Sequence, residues 1–264
     1  MKKLILGFIA TLSIVSCGTQ MKLNSVRLMQ GGAKAIQALG ISNAQMQSYV
    51  RQSVAQLDAE ATVLPASDVY SKRLAKITGG LADVNGIPLN FKVYKTNEVN
   101  AFACADGSVR VYTGLMDIMA DNEVLGVIGH EIGHVALEHT LNAYKNALYT
   151  SAAFDAVASA GDLAAALTDS VLGQLGRSMI EARFSRKQES DADDYGYDFL
   201  KARKVNPWYM AMAFEELQKA SSGGTTVQET SIGEMFSSHP NTANRIEAVS
   251  KRAAADGYTR PVKK

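Results

Sequence analysis

The chain has 264 residues, of which 47% are hydrophobic and 20% charged, and its formal net charge at pH 7 is +1. This composition is typical of a globular domain that is large enough to bury a sizeable core. A nearly balanced charge, with no basic stripe interleaved with aromatic residues, argues against nucleic acid as a partner. The basic residues within 259–264 are interpreted as a solvated tail.

The N-terminus has the pattern of a targeting segment. Lys2 and Lys3 precede an apolar run at 4–15, which is shorter than the roughly 20 apolar residues that a membrane-spanning helix needs. Small residues then lead to Cys17. This arrangement resembles the signal of bacterial lipoproteins, in which the cysteine is acylated and begins the mature chain. We therefore expect a signal peptide at 1–16 and a lipid-anchored tether at 17–24, with an ordinary signal peptide and a free structural cysteine as the alternative.

The residue after the cysteine predicts where the anchored protein resides. Gly18 stands there, whereas aspartate is associated with inner-membrane retention in lipoproteins of the enteric type. By that resemblance we expect the outer membrane of a Gram-negative bacterium, with the protein facing the periplasm. Attachment through acyl chains needs no transmembrane helix.

Predicted helices and strands follow in chain order. Helical spacing at 25–64 indicates N-terminal packing helices, and the next helix is predicted to begin at Pro65 and to end near Thr78. Alternating apolar residues predict three strands at 89–94, 99–103 and 109–112, the last two linked as a hairpin. Asp121 is predicted to cap the helix that follows it, and further helices are predicted at 186–201, 208–220 and 241–255. The Ala/Gly-rich segment 152–176 is interrupted by aspartates, so it is interpreted as a helical insert that packs on the core or covers a cleft.

The pattern His130-Glu131-x-x-His134 lies in an apolar segment with helical periodicity. Histidines four residues apart lie on one face of a helix, about one turn apart, so both can bind one metal ion. Glu131 borders that ion and can accept a proton from the attacking water. With only four histidines in the chain, chance produces this pattern on the order of a few times in a thousand. The alternative is a structural helix with two satisfied histidines.

A catalytic zinc ion needs a third protein ligand and one open position. Leu137 and Thr140 stand where an extended motif would have its glycine and its third histidine, so the ligand must come from elsewhere. His139 is out of phase with the motif, and we interpret it as a helix-end residue that points away from the metal.

The best candidate for the third ligand is Glu189, which lies on a predicted helix with Asp193 one turn further on. In this interpretation Glu189 binds the metal, and Asp193 accepts the free N–H of a ligand histidine and so fixes its tautomer. A solvated acidic face is the alternative. The upstream motif favours the metal site.

These motifs together resemble a known family. His130-Glu131-x-x-His134, Glu189-x-x-Ala192-Asp193, Asn100-Ala101-Phe102-Ala103 and a later His-Pro pair are similar to gluzincin metalloendopeptidases of the CAAX prenyl endopeptidase and heat-shock membrane protease type. Within that group, the motifs resemble those of the outer-membrane lipoprotein metalloproteases of Gram-negative bacteria. The resemblance covers about 67–256. It implies an α+β, mainly α-helical zincin-like fold, a metallopeptidase domain at 65–258 with a small three-stranded sheet beside the motif helix, and one zinc ion per chain.

The resemblance also implies roles for residues outside the metal site. Asn100, Ala101 and Phe102 are similar to the edge strand on which the family aligns an extended substrate, with an ordinary strand as the alternative. His239 resembles a histidine that stabilises the oxyanion, with a structural histidine as the alternative. Arg245 resembles an arginine that contacts substrate or pairs with a carboxylate, and the sequence does not separate these two roles.

The predicted function is a membrane-anchored zinc endopeptidase that cleaves periplasmic or outer-membrane proteins in envelope quality control. Its partners would be polypeptide substrates, the membrane, and envelope assembly or protease components. The alternative is a periplasmic lipoprotein chaperone or scaffold with a structural or autoinhibited zinc site. A nuclease has little support because phosphate-cradling and basic motifs are missing.

Overall fold

The computed structural model describes residues 40–151, 154, 166–222, 239 and 242–262. The predicted signal peptide, Cys17 and the tether lie outside the described residues, as do 25–39 and most of the insert at 152–176. The described helices are α1 (Asn43–Glu60), α2 (Val69–Ile77), α3 (Thr113–Ile118), α4 (Asp121–Ala136), α5 (His139–Tyr149), α6 (Asp169–Ile180), α7 (Arg186–Ala202), α8 (Trp208–Ser222) and α9 (Thr242–Ala255). The described strands are β1 (Asp83–Val84), β2 (Ile87–Pro88), β3 (Asn90–Tyr94), β4 (Ala101–Ala103) and β5 (Ser108–Tyr112).

A three-stranded sheet lies beside the helix that carries the histidine motif, and its strand order is β3-β5-β4. The strands β4 and β5 form an antiparallel hairpin in which Phe102 is opposite Arg110, while β3 runs parallel to β5. The predicted α+β fold with a small sheet is therefore confirmed. The two-residue strands β1 and β2 form a further hairpin around Asn85 and Gly86, both of which have positive φ.

The sheet separates two hydrophobic clusters because successive side chains of a strand point to opposite faces. One face packs against α2, α4, α7 and α8; its sheet residues are Val93, Ala101, Ala103, Val109 and Val111. The other face packs against α1, α5 and α6 through Tyr94, Phe102 and Tyr112. The helix α4 lies in the first cluster, so the metal motif is held in the larger apolar core.

A buried ion pair attaches α1 to the sheet. Asp58 accepts hydrogen bonds from Arg110 Nε at 2.8 Å, Lys92 Nζ at 2.7 Å and the Tyr94 hydroxyl at 2.7 Å. Burial alone would raise the pKa of Asp58, but the bonds from Arg110, Lys92 and Tyr94 hold that pKa below its usual value. Arg110 is only 2% exposed, so Asp58 supplies the charge that lets this arginine lie in the interior.

The helices α4 and α7 touch through glycines. A Cβ at Gly196 in α7 would lie 2.9 Å from the backbone nitrogen of His130, and a Cβ at Gly133 would lie 3.0 Å from the carbonyl oxygen of Ala192. Neither position has room for a side chain. This close approach brings Glu189, one helical turn before Ala192 and Asp193, to the histidines of α4.

Two predicted helix starts are wrong. Asp121 does not cap α4: the cap residue is Ala120, whose N–H donates to the Glu123 carboxylate at 2.8 Å, while Asp121 pairs with Arg73. The helix α2 begins after Asp68, whose side chain accepts the Tyr70 N–H, rather than at Pro65. In both cases a side chain near the predicted start supplies the cap. Among the described residues, none of the helices combines the length and apolar character that crossing a membrane requires.

Candidate metal centre

Four buried side chains meet where α4 and α7 approach His239, which lies shortly before α9. They are His130, His134, Glu189 and His239, and one donor atom from each lies within 4.8 Å of the other three. The two histidines of α4 face the same way because they are four residues apart. Glu189 reaches them from the first turn of α7, across the glycine contact.

The donor set fits a zinc ion. His134 Nε2 is 3.1 Å from His130 Nε2 and 3.5 Å from Glu189 Oε1, while His130 Nε2 is 3.7 Å from Glu189 Oε2. Tetrahedral ligands at about 2.0–2.1 Å from zinc are about 3.3 Å apart, which these separations bracket. Two imidazoles and a carboxylate also match the ligands of catalytic zinc sites. The predicted cofactor, one zinc ion, is therefore supported by the chemistry of the donors.

Burial and neighbouring groups shift the pKa values of two of these side chains. Burial lowers the pKa of His134 well below its usual value, so its imidazole is neutral. Burial alone would raise the pKa of Glu189, but the positive charge of His239 and hydrogen bonds from His134 and His239 hold that pKa well below its usual range. Glu189 is thus an ionised carboxylate inside the protein.

Glu131 lies beside this donor set without joining it. Its side chain is 2% exposed, and its Oε1 atom has no hydrogen-bond partner among the described residues. The nearest ring nitrogen is His239 Nε2, at 3.5 Å. A buried carboxylate oxygen without a donor is suited to accept a proton from water, which is the role predicted for Glu131.

Asp193 and Arg245 form the support of His130. Asp193 Oδ1 lies 2.9 Å from His130 Nδ1, the ring nitrogen that faces away from the donor set. Arg245 donates to both oxygens of Asp193, at 2.6 and 2.7 Å, and also pairs with Glu189 at 2.6 Å. The guanidinium lies 4.3 Å from the ring centroid of Phe214. Of the two roles left open for Arg245, the structure shows the pairing with carboxylates.

His239 lies closer to the metal ligands than an oxyanion donor would require. Its Nδ1 atom is 3.0 Å from Glu189 Oε1 and 3.2 Å from His130 Nε2. These distances put it in the position of a fourth donor. The oxyanion role of His239 therefore stays a prediction, and it would require this side chain to take a different position.

His139 does not point away from the site, and this part of its interpretation is wrong. It begins α5, so it is a helix-end residue, but Glu138 before it has φ 57° and turns the chain back. The His139 Nδ1 atom lies 3.1 Å from His134 Nδ1. Phe184 stacks on the face of the His134 ring, with ring centroids 3.9 Å apart.

The predicted substrate strand is an edge strand whose side chains are buried. Phe102 packs edge-on against Tyr94 and Tyr112, so it belongs to the core and not to a substrate pocket. The Asn100 carbonyl accepts the Tyr112 N–H, and the Asn100 side chain accepts the Ala101 N–H at 2.8 Å. Any contact between β4 and a substrate would therefore use the backbone.

The fold and the site define a zincin metallopeptidase, with two histidines and a carboxylate as donors and a glutamate beside them. The model of peptidase family M48 matches residues 68–253, and the chain belongs to that family. The chain is 44% identical to the metalloprotease LoiP of Escherichia coli over 89% of its own length and 91% of that protein. It is 38% identical to the metalloprotease YcaL of the same organism over 96% and 98%, and 28% identical to the mitochondrial metalloendopeptidase OMA1 of Arabidopsis thaliana over 68% and 35%. The predictions of a gluzincin family and of a zinc metalloendopeptidase are confirmed.

Proposed function

We propose that this zinc metalloendopeptidase is anchored by lipid at the periplasmic face of the outer membrane and cleaves envelope proteins there. Membership of family M48 supports the peptidase activity and polypeptide substrates. The anchor is supported by the sequence alone: Lys2 and Lys3, the apolar run at 4–15 and Cys17. Envelope quality control follows from that location.

The observation that carries the catalytic part is the unpartnered Glu131 oxygen beside the donor set. A zinc ion held by His130, His134 and Glu189 would supply a Lewis acid and would lower the pKa of water towards ~7. Glu131 accepts the proton of the attacking water and passes it to the leaving amine. Asp193, held by Arg245, keeps His130 in one orientation during this step.

An extended substrate would add to the free edge of β4. The ladder bonds to β5 involve Asn100 and Cys104, and because backbone groups alternate along a strand, those of Ala101 and Ala103 point away from β5. The Ala101 carbonyl and both polar groups of Ala103 are then the groups that would pair with a peptide running past the donor set, once this buried edge opens, because Ala101 is 1% and Ala103 5% exposed. Binding by backbone pairing fits a protease that accepts many sequences.

The anchoring is tested by labelling with a palmitate analogue in a Gram-negative host. Cys17→Ser should lose the label and the co-sedimentation with outer membranes. Cys104→Ser is the matched control because Cys104 is the second cysteine of the chain and lies buried in the core, so it should keep both. Label retained on Cys17→Ser would rule out acylation at this residue.

A second proposal concerns control of the activity and draws on the autoinhibited alternative. It is supported by His239, which takes the place of a fourth donor where the attacking water must enter. We infer that this arrangement is a closed form and that His239 moves aside when the enzyme acts. His239→Ala should keep one zinc ion per chain and cleave a short peptide faster than the unmodified chain. A loss of about 10²–10³ in kcat would instead fit an oxyanion donor.

A further inference from the structure

The second ligand histidine makes a contact that the catalytic scheme does not use. His134 contributes its Nε2 atom to the donor set, and its other ring nitrogen, Nδ1, lies 3.1 Å from Nδ1 of His139. We propose that His139 is the positioning residue of His134, and that it fixes the tautomer and the ring orientation of this ligand.

The chemistry of imidazole sets the direction of the hydrogen bond. A neutral histidine that binds a metal through Nε2 carries its one proton on Nδ1. Ligand histidines usually donate that N–H to a carboxylate, a backbone carbonyl or water. Here the neighbour of the His134 N–H is a ring nitrogen, so Nδ1 of His139 accepts the bond and the proton of His139 lies on its Nε2.

The backbone holds His139 in place for this contact. The helix α4 ends at Ala136, Glu138 adopts a left-handed conformation, and α5 begins at His139. The His139 side chain is buried, at 8% exposed. The His139 side chain therefore reaches back to α4 from the start of α5. In a continuous helix, a residue five places after His134 would point to a different side and would not make this contact.

A second contact fixes the plane of the same ring. Phe184 stacks on His134 at a centroid distance of 3.9 Å and an interplanar angle of 29°. Stacking restricts rotation about the Cβ–Cγ bond of His134 but is compatible with two ring orientations, related by a half-turn flip that exchanges Nδ1 with Cδ2. The hydrogen bond from Nδ1 to His139 selects one of the two, so the two contacts together define one orientation of the ligand.

The two ligand histidines are thus supported in different ways. His130 faces Asp193, a carboxylate locked by Arg245, whereas His134 faces a neutral imidazole. The site already holds the carboxylates of Glu131, Glu189 and Asp193, and a neutral acceptor orients His134 without adding a fourth negative charge.

The test compares two substitutions of similar size. His139→Leu removes the acceptor, whereas His139→Asn places an amide oxygen near the position of Nδ1. The affinity for zinc is measured on purified, metal-free protein by competition with a coloured chelator. His139→Leu should weaken zinc binding by about 10–100-fold, as found for other partners of ligand histidines. His139→Asn should stay close to the unmodified protein, and the visible spectrum of the cobalt form should change in the leucine variant alone.

Two results would overturn the proposal. Zinc affinity unchanged in His139→Leu would mean that the contact does not position the ligand. An equal loss of affinity in both variants, with an equal loss of thermal stability in the metal-free proteins, would mean that His139 acts through packing. Neither measurement needs a substrate or a membrane, so the outcome is independent of the proposed location and substrates.

Discussion

Gly196 of α7 lies against the backbone of His130 in α4, so close that a Cβ on the glycine would stand 2.9 Å from the histidine nitrogen. No side chain separates the two helices at this point. The distance from the motif histidines to Glu189 is therefore set by backbone contact, which varies less than contact through flexible side chains.

Gly196→Ala should push α7 away from α4. Overpacking of this kind costs about 1–3 kcal/mol of unfolding free energy, and the displacement of Glu189 should weaken zinc binding as well. Urea denaturation and zinc competition measure the two effects. Gly173→Ala in α6 is the control, because a Cβ there meets only side-chain atoms at 3.4 Å or more. Equal stability of the two variants would contradict the backbone contact.

Glu131→Gln should separate metal binding from catalysis. The amide keeps the size of the side chain but does not accept a proton, so kcat should fall by about 10²–10⁴ or more. Zinc content, measured on the same sample, should stay at one ion per chain, because Glu131 is not in the donor group. Glu247→Gln, an exposed site on α9 that pairs with Lys251, should retain activity. Full activity of a zinc-loaded Glu131→Gln sample would exclude Glu131 as the base.

Arg245→Met should act on stability and not on substrate affinity. The substitution leaves Asp193 and Glu189 without their buried cation, a change that costs about 3–5 kcal/mol for buried pairs. KM should change little because Arg245 is only 7% exposed. Arg252→Met, which breaks partly exposed pairs on the same helix, should cost about 0.2–1 kcal/mol. A raised KM with unchanged stability would point to substrate contact instead.

Asp58→Asn should destabilise the protein at neutral pH by about 3 kcal/mol, because Arg110 is left buried without its anion. The pKa of Asp58 is lowered in the folded protein, so its contribution is complete above the ordinary value of 3.8 and is lost as the pH falls below that value. The difference in unfolding free energy between the two proteins should therefore shrink below about pH 4. Denaturation curves at several pH values measure it, and a constant difference would contradict the ion pair.

The histidine pair of α4 and the acidic pair of α7 were predictable from local patterns. Spacing alone places His130 and His134 on one helix face, and the same rule links Glu189 to Asp193. The bounds of α7 and α8 also follow from hydrophobic periodicity and helix caps. These features depend on residues within one or two turns, which a single sequence contains.

The missed features depend on events that local patterns do not encode. The orientation predicted for His139 assumes a helix that continues past Leu137. The helix ends before that point, and Glu138 adopts a left-handed conformation. The parallel pairing of β3 with β5 is a tertiary choice, and the buried pair of Asp58 with Arg110 joins residues 52 positions apart. The pairing of Arg245 with Glu189 and Asp193 depends on the packing of α9 beside α7, which no local pattern encodes.

The left-handed turn gives an exposed residue an influence on the metal site. Glu138 makes no contact with the donor set through its side chain, yet its φ of 57° is what directs His139 towards His134. Glycine would adopt this conformation without strain, whereas a β-branched residue would resist it. A substitution at the solvent-facing position of Glu138 is therefore expected to change the orientation of the buried His134 ring if the new residue resists this backbone conformation. The effect would pass through the backbone alone.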